Sequence, residues 1–165
     1  MNIIITSITI KDCDSMTLED ALGYSFKDKS LLIRSLTRKA FALEQKQQKK
    51  DCEDQEIYRT LGDAVLKTVL VDLLITINGC KTRDDITSRK KKLEREEGLV
   101  PISRELKIGA SIRFGKGEKK QNAQEEPYVL AETLEAVFGA IYLDGGFDAS
   151  KKVIAKLFEP YLTSS

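Results

Sequence analysis

QEIYRTLGDAVL, Gln55 to Leu66, opens the stretch on which the fold turns. From near Glu56 to Ile77 apolar residues cover most of a helical circumference, the pattern of a central, buried helix, and Asn78 with Gly79 closes it. Two neighbouring residues interrupt that pattern. Asp63 is a carboxylate near the start of a strongly apolar helix, and Gly62 beside it permits close approach of another backbone or side chain.

Outward from this helix, nearly everything reads helical. Thr17 followed by Asp20 marks a helix start, Leu18, Ala21 and Leu22 give it an apolar face, and Gly23 ends it. Ser30 to about Gln45 carries Leu32, Leu36, Ala40 and Leu43 at helical spacing, which predicts a single helix. Lys46 to Asp54 is polar and aperiodic and reads as a loop or a frayed helix end. A charged helix is expected over Thr87 to Glu97 and another over Leu99 to Lys107, stopped by Gly109. Ile112, Phe114 and the GKGEKK turn suggest an irregular or short extended segment. Pro127 introduces a helix over Tyr128 to Leu143, apolar on more than one face through Leu130, Leu134, Val137, Phe138 and Ile141. Asp144, Gly145 and Gly146 break it before a last helix, Asp148 to about Leu162. Ahead of all these, the alternating β-branched residues of Ile3 to Ile10 suggest a short strand or extended arm. The expected organisation is an N-terminal arm over 1–16, one all-α domain over 17–162 and a tail over 163–165.

At 165 residues and 41% hydrophobic content the chain suits one domain with a substantial core. The 27 Lys and Arg nearly cancel the 26 Asp and Glu, so any polyanion-binding surface must be a local patch. No histidine is present, which excludes imidazole-based triads, histidine general bases and imidazole zinc sites. Catalysis then rests on carboxylates, lysines or a metal. Cys13, Cys52 and Cys80 are odd in number and widely spaced, which supports neither a disulfide framework nor a structural zinc and points to a reducing cytoplasm. The apolar opening MNIIITSITI lacks a basic leader, and Val65 to Ile77 is interrupted by Lys67 and Asp72 and falls short of the roughly 20 residues a membrane span needs. A soluble protein is expected.

Glu132 and Glu135, three residues apart, share one face of a helix whose surroundings are apolar. This spacing alone also suits two glutamates on a solvated stripe. Carboxylates held together away from water repel unless something positive joins them, and a divalent cation is one economical solution. If the two apolar helices pack face to face, Asp63, Glu132 and Glu135 could converge on an oxygen-ligand site suited to magnesium or manganese. Such a site would activate water and offset charge on a phosphate during hydrolysis.

Four stretches, in this order and separation, resemble the ribonuclease III family over about residues 17–162: LEDALGYSFKDKSLLIRSLT (Leu18 to Thr37), GDAVL (Gly62 to Leu66), GKGE (Gly115 to Glu118) and LAETLEAVFGAIYLDGG (Leu130 to Gly146). The resemblance implies an all-helical endonuclease domain that forms a homodimer, binds double-stranded or structured RNA, and cleaves its phosphodiesters with Mg2+ (or Mn2+) in RNA processing. It places Asp63 and Glu135 at unchanged metal-ligand and catalytic positions, Glu132 where the family normally has a metal-binding aspartate, and Glu56 as a supporting acid. Besides Glu132, three departures bear on the site or the dimer. Arg59 stands where a metal-binding glutamate belongs. It lies four residues before Asp63, where it could pair with that acid as a tethered counter-ion, or it swings outward to solvent or an RNA phosphate. Thr60 replaces a phenylalanine that plugs the partner subunit, which weakens the expected dimer. Arg38 replaces a histidine and reads as structural rather than chemical.

Contacts to RNA phosphates are expected from Arg89, Lys90, Lys91, Lys92 and Arg95, and from Lys116, Lys119 and Lys120, unless the first group is simply a solvated helix balanced by Glu94, Glu96 and Glu97. The turn at Gly115 to Gly117 does not fit a Walker phosphate loop. No second RNA-binding domain follows residue 162, so affinity should be weak and salt-sensitive. Three readings follow: a compact metal-dependent endoribonuclease, a catalytically degenerate RNA-binding or assembly subunit of the same fold, and a helical protein-interaction module without an RNA role.

Overall fold

The computed structural model describes residues 17–162, and these are all-α. The proposed arm at Ile3 to Ile10 and the tail at 163–165 lie outside the described residues. Eight helices follow in order: α1 Leu18–Leu22, α2 Lys29–Ser35, α3 Lys39–Gln47, α4 Glu56–Thr76, α5 Arg83–Leu93, α6 Glu96–Glu105, α7 Lys116–Lys120 and α8 Pro127–Leu162. Single 3-10 turns at Ile108–Ser111 and Ala123–Glu125 join the later ones.

Helices α4 and α8 form the axis of the domain, as their apolar patterns predict. α4 buries Tyr58, Gly62, Val65, Leu66, Val69, Leu70, Leu73 and Leu74 along one broad stripe. Against it α8 is buried almost all round: from Val129 to Ile141 the only residues not buried are Glu132 and Glu135. α8 breaks at Gly146, whose φ of 80° is costly for any residue with a Cβ. Just before the break, the Asp144 carboxylate accepts hydrogen bonds from the Tyr24 hydroxyl (2.7 Å) and from the backbone N–H groups of Lys27 and Asp28 (both 2.9 Å). It thereby ties the α1–α2 connection to the axis. Thr17 and Asp20 form a capping box at the start of α1, which stops at Gly23.

The structure corrects several expected boundaries. Ser30 to Gln45 is two helices, because tertiary hydrogen bonds take over the backbone at Leu36 to Arg38. Arg113 N–H donates to Leu36 O (2.7 Å), Arg38 N–H to Arg113 O (3.1 Å) and Gln55 N–H to Thr37 O (2.9 Å). The break puts Arg38 at the position just before α3, without a side-chain capping bond, so its guanidinium is free for other partners. The charged helix begins at Arg83 instead of Thr87, because the Thr82 hydroxyl accepts from Asp85 N–H, and it ends at Leu93. α6 ends at Glu105, before a left-handed Lys107 with φ 52°; Gly109 lies beyond it, in a 3-10 turn. GKGEKK holds the short helix α7, its start fixed by the Glu118 carboxylate accepting from Gly115 N–H (3.1 Å).

Candidate active site

Where α4 crosses α8 the two backbones touch. A Cβ on Gly62 would lie 1.7 Å from the carbonyl oxygen of Glu135, and one on Gly139 would lie 2.1 Å from that of Tyr58. Only a pair of glycines permits this approach, and it sets the turn carrying Arg59 and Asp63 against the turn carrying Glu132 and Glu135. The expected face-to-face packing of the acidic turns is therefore present.

Basic side chains join the acids at this crossing. Arg59 reaches across to α8, with Nη1 2.8 Å from Glu132 Oε1 and Nε 3.5 Å from Glu135 Oε2. Of the two alternatives for Arg59, the pairing with Asp63 does not form, since Asp63 is held by Lys67 one turn further along α4 (2.7 Å). Arg38 takes the other oxygen of Glu132 (3.0 Å) and binds Glu118 at the same distance. With the Gln55 amide oriented to satisfy its neighbours, Gln55 donates to Ser35 O (2.8 Å) and accepts from Arg38 Nη1 (3.2 Å). Arg38, read from sequence as structural, is thus a member of the site. Glu56 stays at the rim with Lys39 (3.2 Å), both more than half exposed. Thr60 is exposed and turns its hydroxyl back onto Glu56 O (3.1 Å).

These contacts move protons as well as charges. Burial and then the neighbouring charge of Asp63 push the Glu135 carboxyl up to about 7, with Arg59 offsetting only part of the rise. For Arg38, burial alone would lower the guanidinium, yet its bonds to Glu132 and Glu118 hold it above its ordinary value. Lys67 is also raised, by its bond to Asp63 and by the charges of Glu94 and Glu135.

Among the described residues no three carboxylates are arranged as a ready cluster for one ion. Glu132 has both oxygens on guanidinium groups. Asp63 carries only Lys67 (2.7 Å) and Glu135 only the longer contact to Arg59 (3.5 Å); the two carboxylates repel across the crossing, and their oxygen chemistry suits a hard divalent cation. The pair has the donor chemistry for magnesium or manganese once the side chains of Arg59 and Lys67 turn out.

The residues of the expected basic patches differ in how free they are. Arg89 and Lys90 are partly occupied, by Asp85 (3.2 Å) and Glu94 (2.6 Å), whereas Lys91, Lys92 and Arg95 are exposed. Lys116, Lys119 and Lys120 are exposed on α7, which the Glu118–Arg38–Glu132 chain links to the site. Sequence reasoning missed Arg38, Gln55, Lys67 and Glu118. Lys67, four residues after Asp63, was the one legible from spacing.

The profile of the Ribonuclease-III-like family matches residues 28–161, across both acidic helices. The chain belongs to the ribonuclease III-like family. It is 37% identical over 148 residues to Ribonuclease 3 of Dechloromonas aromatica, covering 90% of this chain and 63% of that protein. To Ribonuclease 3 of Syntrophotalea carbinolica it is 34% identical over 145 residues, covering 88% and 62%. The chain thus spans less than two thirds of the length of these relatives. In three dimensions it is similar to the nuclease domain of ribonuclease III from Campylobacter jejuni. One crystal structure of that domain superposes with a TM-score of 0.78 at 34% identity, over 87% of this chain and 94% of that one. That structure is described as showing flexibility in a region involved in dimer formation. A second structure of the same nuclease domain gives 0.78 at 32% identity, over 90% and 95%.

Proposed function

We propose that this ribonuclease III-like domain is an endoribonuclease that hydrolyses phosphodiester bonds in double-stranded or structured RNA during RNA processing. The observation that carries this reading is the backbone-on-backbone crossing at Gly62 and Gly139, which keeps Asp63 and Glu135 close enough to repel each other. Asp63 and Glu135 are the ligands that would hold Mg2+ or Mn2+, with Glu132 beside them. The ion, when bound, supplies Lewis-acid stabilisation of the phosphate and a more acidic water. Lys91, Lys92, Arg95, Lys116, Lys119 and Lys120 hold the duplex through its phosphates, with Arg89 and Lys90 behind them, and Arg38 keeps Glu132 in register. Ile57, 67% exposed beside Thr60 on α4, supports a homodimer contact weaker than a buried aromatic plug would give. The free thiols Cys52 and Cys80 suit a reducing cytoplasmic setting, and among the described residues no helix is long and apolar enough to cross a membrane. Incubation of the purified chain with long duplex RNA and Mg2+ or Mn2+ tests the reading: cleavage is expected, and Glu135→Gln abolishes it.

A second reading has its own observation. Arg59 and Arg38 together neutralise Glu132, and Arg59 also meets Glu135, as expected of a degenerate, non-catalytic RNA-binding or assembly subunit. Duplex binding without cleavage, with cleavage appearing in Arg59→Glu, would establish that reading instead.

A further inference from the structure

The two arginines at the acidic crossing are not equivalent. Arg38 is fixed: its side chain is 14% exposed, bonded to both Glu118 and Glu132, and backed by Gln55. Arg59 is tethered at one end only. Its side chain is 47% exposed, with one short contact to Glu132 and a 3.5 Å contact to Glu135, and an arginine this exposed has solvent to turn into. Glu135, at 13% exposure, has no such freedom. A half-buried carboxylate pair must be neutralised by something, and here the guanidinium of Arg59 does it for Glu132 and Glu135, the second of which is also a ligand in the proposed Asp63–Glu135 pair.

We infer that Arg59 is a built-in competitor for the divalent cation, holding the acidic crossing closed in the free domain and yielding only when its guanidinium is displaced to solvent. This rests on the proposed metal-dependent reading of Asp63 and Glu135 and adds a regulatory element to it. Loss of an ion pair at half-exposed positions, together with relief of like-charge repulsion, corresponds to about a tenfold gain in cation affinity, or about 1.4 kcal/mol.

Titration calorimetry with Mn2+ alone, on the full chain without RNA, reads this directly. Arg59→Gln is expected to bind Mn2+ about tenfold more tightly than the wild type, and Arg59→Lys, which keeps the charge, within about twofold of it. Adding Glu135→Gln to Arg59→Gln removes the gain. Circular dichroism confirms that each variant is folded. Equal or weaker Mn2+ binding by folded Arg59→Gln, or binding undetectable in both proteins, overturns the inference. The two ideas fail separately. If the wild type cleaves duplex RNA but Arg59→Gln gains no affinity, the competitor is refuted and the nuclease stands; if Arg59→Gln gains affinity and no variant cleaves, the reverse holds.

Discussion

Replacing Gly62 by alanine probes the contact that builds the site. The new Cβ would stand 1.7 Å from Glu135 O, 2.7 Å from Glu135 C and 2.8 Å from Gly139 N, all backbone atoms in the middle of a buried helix. None of them is the end of a flexible side chain, so α4 and α8 must separate by roughly 1.5 Å to restore ordinary contact. That opens the interface along Val65, Leu66 and Val69 on one side and Ala136 and Phe138 on the other, all buried. Overpacking of this kind costs about 4 kcal/mol, and the better helix propensity of alanine returns about 1, leaving about 3 kcal/mol. For a domain of this size the melting temperature should fall by about 9 °C in a thermal unfolding experiment. Gly117→Ala is the control, since nothing lies within 4 Å of its added Cβ, and it should be neutral or slightly stabilising. A displacement of this size also pulls Asp63 away from Glu135 and should reduce RNA cleavage by about 100-fold. A Gly62→Ala protein melting within about 2 °C of the wild type would refute the crossing as described.

Three further outcomes are expected. Because Glu135 titrates near 7 when folded and near 4.5 when unfolded, the folded chain holds a proton that the unfolded chain has released between those values. Its contribution to stability is therefore complete at low pH and lost as pH rises to about 7, by at most about 3 kcal/mol; urea unfolding of Glu135→Gln should lack that decline, and parallel profiles for the two proteins would contradict it. Arg38→Ala leaves Glu118 without its cation and Glu132 with Arg59 alone, at a cost of about 2 kcal/mol, and Arg38→Lys should recover less than half, since an ammonium cannot serve both acids and Gln55; full recovery in chemical denaturation would argue against the fork geometry. Reversing Lys91 and Lys92 to glutamate should lower the slope of log affinity against log salt for duplex RNA by about two in anisotropy titrations, and an unchanged slope would remove α5 from the RNA surface.

What sequence made legible followed from periodicity. The helices α4 and α8 announce themselves by apolar residues on nearly every face, and the acids inside them, Asp63, Glu132 and Glu135, stand out for that reason. The break at Leu36 to Arg38 left no such mark. Its cause is a set of hydrogen bonds to Arg113 and Gln55, distant in sequence, and local spacing favours one continuous helix there. The role of Arg38 was hidden by the same break, which turns its guanidinium towards Glu118 and Glu132. The helix start at Thr82 was readable from the threonine and Asp85 three residues later. The partner of Arg59, left open between Asp63 and solvent, was hidden for a different reason. The i, i+4 rule names Asp63 as its neighbour, but Lys67 meets the same rule from the other side and takes Asp63. Arg59 is then left to the acids across the crossing, a partner choice only the packing of two helices decides.

The most direct test of the account is the rate at which the wild-type chain cuts a long RNA duplex in Mg2+ or Mn2+, measured beside Glu135→Gln and Arg59→Glu. The account predicts cleavage by the wild type and none by Glu135→Gln. An inert wild type, with cleavage appearing only when Arg59 is replaced by glutamate, would contradict it and make this domain a ribonuclease III fold whose catalytic site its own arginine keeps closed even with metal and duplex present.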